Sequence, residues 1–239
     1  GTASGGLASR NTVSVYGGEL REALNGGNSV SGAATENTVT VAGGEVRGRV
    51  SGGHSESGLA SINMVTLDGG TVGGDVRGGS SSRGTATENM VLVSGGTATG
   101  AVVGGYSESG AAVRNTVALS GGTVGAVYGG GTVSGSATDN TVTLNAGAVK
   151  GNVYGGYAVS GGGDVRSGNV LEVNAHSLRI DGNLTNFQKY NFYLPAEVKL
   201  RDTILNVGGN VDMKTPAGAA PTSLNVELPG GGPVLKSGD

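Results

Sequence analysis

The chain has 239 residues, of which 50 are Gly, none is Cys or Trp and only 4% are aromatic; its net charge is −3. So little bulk argues against a thick globular core, and zero Cys excludes disulfide staples and thiolate-held metals. Pro is absent before Pro195, which excludes collagen, recurrent Val and Thr at low charge argue against global disorder, and mild acidity argues against a nucleic-acid partner, whose phosphates need clustered Lys and Arg.

In chain order, Gly1-Thr-Ala-Ser-Gly-Gly reads as the tail of a repeat, so the expectation is a fragment or processed product of something longer. No stretch is apolar enough to span a membrane, and no signal peptide opens the chain. Copies of one motif then begin at Asn11, Asn37, Asn63, Asn89, Asn115 and Asn140, spaced by 26, 26, 26, 26 and 25 residues. A degenerate seventh copy begins at Asn169. Such a period marks a solenoid or an array.

Each unit contains two alternating segments. In the second copy, Thr35, Asn37, Val39 and Val41 are expected on one face of a strand, with Glu36, Thr38 and Thr40 on the other. Gly43-Gly44 turns the chain. A second strand follows with Val46, Gly48, Val50 and Gly52 inward; the Gly48 position recurs as Gly74, Gly100 and Gly151. One unit cannot bury its apolar face alone, whereas units stacked in register place each Val roughly 4.8 Å from its copy. The inward Asn residues then satisfy one another as an internal ladder, since a buried amide must be hydrogen-bonded. Outward residues before each Asn bring Arg10 beside Glu36, Glu88 beside Arg114 and Arg114 beside Asp139. The reading is an all-β, parallel β-solenoid of about seven coils over 1–185. The alternative is a prism of antiparallel hairpins, because Gly-Gly between alternating strands also signals a hairpin.

After Asn169 the composition shifts. Only 8 of the 50 Gly lie beyond it, whereas both Phe and all five Pro do. The bulky segments in 186–213 are expected to cap the stack and end it near Asn186, as repeat arrays require atypical terminal units. The tail, 214–239, reads as a Pro/Gly-rich loop or linker with one strand at Ser223-Leu-Asn-Val-Glu-Leu.

The repeats Asn-Thr-Val-Thr-Val-x-Gly-Gly-x-Val-x-Gly-x-Val-Tyr-Gly-Gly, followed by Asn186-Phe-Gln-Lys-Tyr-Asn-Phe-Tyr-Leu-Pro195, resemble the passenger regions of bacterial autotransporters, over about residues 1–213. The resemblance implies a right-handed β-helix borne through the outer membrane by a C-terminal β-barrel that this chain lacks. It also implies display at the bacterial cell surface or secretion, with adhesion or self-association as the function.

No catalytic constellation is legible. His54 and His176 fall at turn positions, and neither pairs with another His. Outward acids Glu45, Asp68 and Asp75 leave a carbohydrate-active β-helix enzyme as the alternative. Gly73-Gly74-Asp75 and Gly162-Gly163-Asp164 are out of frame with calcium-binding nonapeptides. Thr38/Thr40 and Thr141/Thr143 suggest an ice-binding array, but Met64, Met90, Leu92 and Ala118 interrupt it. The remaining candidate is an aromatic turn column, Tyr106, Tyr128, Tyr154 and Tyr157, as a surface for a host glycan or protein or for a second copy. No catalytic residue, metal or cofactor is expected.

Overall fold

A computed structural model describes residues 1–199 and 201–228, with the backbone alone of Pro233–Lys236. Its described residues form an all-β, parallel β-solenoid of about eight turns, stacked about 26 residues apart. Val39 lies opposite Val13 and Val65, Val91 opposite Val117, and Val142 opposite Leu171. Among the described residues all strand pairings are parallel except that of Ser223–Glu227 with Pro233–Lys236, so the hairpin prism does not form. No helix is long and apolar enough to cross a membrane among the described residues.

The repeat folds into four short strands rather than two. In the second coil these are Ala34–Thr35, Thr38–Val41, Glu45–Val46 and Val50–Ser55. Two corners explain the difference from the expected alternation. Glu36 adopts φ 55°, and its equivalents Arg10, Ile62, Glu88, Arg114 and Asp139 lie at 54–56°. The left-handed turn swings Ala34 inward, fully buried, and leaves Thr35 half-buried outside the inward set. The second corner lies at Arg47–Arg49, where the expected second strand breaks. Gly48 packs against the preceding coil: a Cβ there would lie 2.6 Å from the Ala23 nitrogen. The Gly-Gly turn behaves as read, with Gly44 at φ 79°.

The core is a thin file of Val, Leu and Ala. Val39, Val41, Val46 and Val50 are fully buried, as are their copies Val65, Leu67, Val72 and Val76. Burying one such side chain contributes roughly 1.5–3 kcal/mol, and each apolar stripe is completed only by the coils on either side.

Stacking does not end near Asn186. Lys189–Tyr193 pairs parallel with Val170–Val173, and Ser223–Glu227 pairs parallel with Lys189–Tyr193. The stack therefore exceeds the seven coils expected. Phe187 and Tyr190 are buried and pack edge to face, with centroids 5.6 Å apart, so these bulky residues widen the core while continuing the rungs. Within the tail, Pro233–Lys236 is a strand where loop was expected; 229–232 and 237–239 lie outside the described residues.

Candidate functional site

The interior Asn column accounts for each of its amides. Asn37 Oδ1 accepts from Asn11 Nδ2 at 2.7 Å and from the Asn11 backbone N–H at 3.1 Å. Asn37 Nδ2 donates to Asn63 Oδ1 and to the Ala8 carbonyl, each at 2.9 Å. The pattern repeats through Asn63, Asn89, Asn115 and Asn140 to Asn169. At Asn169 the ladder closes on backbone, donating to the carbonyls of Ala137 at 2.9 Å and Val165 at 2.7 Å. From Asn37 to Asn169 every amide is engaged inside the stack, so these buried residues present no free polar group to a ligand.

This ladder shapes the opposite wall. A Cβ on Gly105 would lie 2.3 Å from Asn115 Oδ1, so the wall must be Gly where the amide meets it. The Gly104-Gly105 pair carries no side chain, and the residues on either side, Val103 (buried) and Tyr106 (half-buried), lie three positions apart. Strand register extends them into two columns. One runs Asn25, Ser51, Arg77, Val103, Tyr128, Tyr154; the other runs Asn28, His54, Ser80, Tyr106, Gly131, Tyr157.

The four tyrosines thus occupy two columns flanking a groove rather than one column, Tyr128 and Tyr154 on one bank and Tyr106 and Tyr157 on the other. All four are half-buried. Tyr157 closes the gap between banks: its ring lies 4.9 Å from Tyr128 and 5.5 Å from Tyr154, with planes 20° and 7° apart. The Arg77 guanidinium stacks on Tyr106, 3.8 Å from the ring centroid, a cation–π contact. Stacked this way, the rings occupy one another's faces and offer edges and hydroxyls. Burial, then neighbouring Tyr157 and Tyr154, push the Tyr128 hydroxyl above its ordinary pKa.

Toward the N-terminal coils the groove turns polar. Seven buried side-chain atoms lack a hydrogen-bond partner among the described residues, and six lie here: Asn25 Oδ1, Asn28 Oδ1, Ser51 Oγ, His54 Nδ1, Arg49 Nε and Arg77 Nε. The seventh, Arg166 Nε, belongs to a clamp on the chain near Ala220. Buried polar atoms are normally paired, so this concentration marks the groove off from the rest of the surface. His54 is half-buried in the groove rather than an exposed turn residue. Burial, then Arg49, holds its imidazole below its ordinary pKa. Burial, then Arg77, likewise pushes the Arg49 guanidinium down.

No protein-family model, curated protein or solved structure matches this chain.

The other candidates lie apart from the groove or are already engaged. Asp75 pairs with Arg77 at 2.8 Å and accepts the Ala101 N–H at 3.0 Å. Asp68 accepts from Ser94 at 2.7 Å, and Glu45 lies 3.5 Å from Arg47. Asp164 caps its own turn through the N–H groups of Arg166 and Ser167. His176 lies 3.8 Å from Glu197 in the later coils. No group of three or more His, Asp or Glu converges among the described residues. Of the surface pairs, Arg10–Glu36 and Arg114–Glu88 form at 2.8 and 2.9 Å, while Asp139 joins no ion pair among the described residues. A cavity of about 430 Å³ in the last coils, lined by Tyr190, Phe192, Ile204, Leu205 and other apolar residues, is the widened core itself.

Sequence reasoning reached the tyrosines but missed Asn25, Asn28, Arg49, Ser51 and Arg77. The signal available was positional: all lie within three residues of a Gly-Gly pair that recurs in each coil.

Proposed function

We propose that this chain is a binding scaffold of autotransporter-passenger type, displayed at the bacterial cell surface or secreted, and that it acts through adhesion rather than catalysis. The stack sets out a groove in register, and the groove takes an extended ligand lying along the solenoid axis. One observation carries this reading: six of the seven buried, unpartnered side-chain atoms among the described residues share one groove with the stacked tyrosines. The groove runs from Asn25 to Tyr157 over six coils, about 24 Å at the spacing of stacked strands. Half-buried tyrosines provide contact area at low entropic cost. Partners of the class the groove suits are glycans, because their hydroxyls both donate and accept.

The test is a screen of the purified chain against immobilised glycans and matrix proteins, repeated with Tyr106→Ala, Tyr128→Ala, Tyr154→Ala and Tyr157→Ala combined. The expected result is binding that the fourfold variant loses while it keeps its β-sheet circular dichroism. Binding unaltered by the four changes would move the adhesive surface elsewhere.

A further inference from the structure

The polar half of the groove holds a guanidinium, Arg49, that no carboxylate among the described residues contacts, although Asp75 and Glu108 attract it through space. Arg49 forms no ion pair and no side-chain hydrogen bond among the described residues, although it is half-buried. A second guanidinium, Arg77, adjoins it and is matched by Asp75 alone at 2.8 Å. Glu56 and Glu108 stand on the exposed rim and pair with neither arginine. A desolvated guanidinium without a counterion is costly, and Arg is the side chain best suited to grip a planar carboxylate. Around it, Asn25 Oδ1, Asn28 Oδ1, His54 Nδ1 and Arg77 Nε are buried without a partner among the described residues, on side chains that are themselves only half-buried, whereas Ser51 is fully buried and lies out of a ligand's reach.

We infer that the groove binds an acidic oligosaccharide, with a ring carboxylate held by Arg49 and neighbouring hydroxyls held by the half-buried side chains of Asn25, Asn28 and His54. The inference rests on the groove being a binding surface, as proposed above, and adds the chemistry of its occupant. Successive coils advance the groove by roughly 4.8 Å, so an extended chain lying along it spans several coils. Single-stranded nucleic acid is a poorer fit. Its bases need open aromatic faces, and the faces of Tyr128, Tyr154 and Tyr157 are taken up by one another.

The experiment is calorimetric titration of the full chain with a hexameric uronic-acid oligosaccharide and with the neutral hexamer of the same linkage, alongside NMR of the His54 ring. The acidic hexamer is expected to bind at least about tenfold more tightly, the worth of one charge-assisted hydrogen bond. Arg49→Gln should lose about that factor with unchanged thermal unfolding, and the His54 resonances should shift on binding. Equal binding of both hexamers, or an Arg49→Gln variant that binds as well as the parent, overturns the carboxylate assignment and leaves the groove reading intact. Binding to neither hexamer with no His54 shift overturns the inference, and a Tyr-dependent partner in the immobilised screen would then still uphold the groove.

Discussion

Asn89 Nδ2 donates to Asn115 Oδ1 at 3.0 Å, and that oxygen also accepts the Asn89 backbone N–H at 3.0 Å. One carbonyl oxygen thus joins two coils at side chain and main chain together. Asn89→Ala leaves the Ala60 carbonyl and the Asn63 amide and N–H without their partners. At 1–3 kcal/mol for each orphaned group, the loss should be about 3 kcal/mol or more. Asn89→Asp should be worse at neutral pH, since a carboxylate would face the Ala60 carbonyl and Asn115 Oδ1, both acceptors. Urea unfolding followed by circular dichroism measures both, and a change under 1 kcal/mol for either would contradict the ladder's role.

The wall opposite the ladder makes a paired prediction. In Gly105→Ala the new methyl would sit 2.3 Å from Asn115 Oδ1, inside contact distance. Overpacking of this kind costs about 1–3 kcal/mol. Gly17, in the first coil, has nothing within 4 Å of its Cβ position. Gly17→Ala should therefore stay within about 0.5 kcal/mol of the parent. Comparing the two melting temperatures separates steric cost from the general effect of adding a methyl.

Ile62 offers a gain. It sits at φ 54° with its side chain 54% exposed, a β-branched residue in the left-handed region and little buried. Asn tolerates that region better, and left-handed strain costs roughly 1–2 kcal/mol for an ordinary residue. Ile62→Asn should stabilise the fold by about 1 kcal/mol, read as a higher urea midpoint. A lower midpoint would mean that the Ile side chain contributes packing that its exposure does not reveal.

Tyr190 gives a pH prediction. Burial, then the nearby Asp212, raises its pKa to about 12 from the ordinary 10, and its hydroxyl donates to the Asp212 carbonyl at 2.9 Å. The folded state prefers the neutral phenol. Its contribution to stability is therefore complete below pH 10 and falls as pH rises from about 10 toward 12, where only the unfolded chain ionises freely. An ultraviolet tyrosinate titration should show Tyr190 among the last of the seven tyrosines to ionise. In Tyr190→Phe that late component should vanish.

The stacking direction, the period and the inward Asn were legible because a 26-residue repeat forces equivalent residues onto one another whatever the coil's outline. The corners were not. Six different-looking residues (Arg10, Glu36, Ile62, Glu88, Arg114 and Asp139) share one left-handed conformation, and none announces it in sequence. The one hint was Gly168 before Asn169, at φ 70° in the degenerate copy. The rungs beyond Asn186 were hidden because their coils abandon the Gly-rich formula: Phe187 and Tyr190 fill space that the repeat leaves to Gly and Val. The groove was half-legible. Tyrosines stand out in a chain this poor in aromatics, but that Arg77 lies against Tyr106 follows only from the fold.

The interior ladder also gives the rod an electrical direction. Backbone hydrogen bonds between coils run both ways along the axis, as from Thr38 N–H back to Asn11 and from Ala34 N–H forward to Leu59, so their dipoles largely cancel. The Asn side chains do not alternate. Each amide from Asn37 to Asn140 turns its oxygen toward the N-terminal neighbour and one Nδ2 hydrogen toward the C-terminal one, while its other hydrogen goes back to a backbone carbonyl of the preceding coil. The six side-chain links of the ladder all point the same way, and from Asn37 onward they are buried, so they add in the manner of peptide dipoles along a helix. The ladder therefore tells one end of the stack from the other: its oxygens face the N-terminal coils, and its last amide, Asn169, closes on backbone carbonyls.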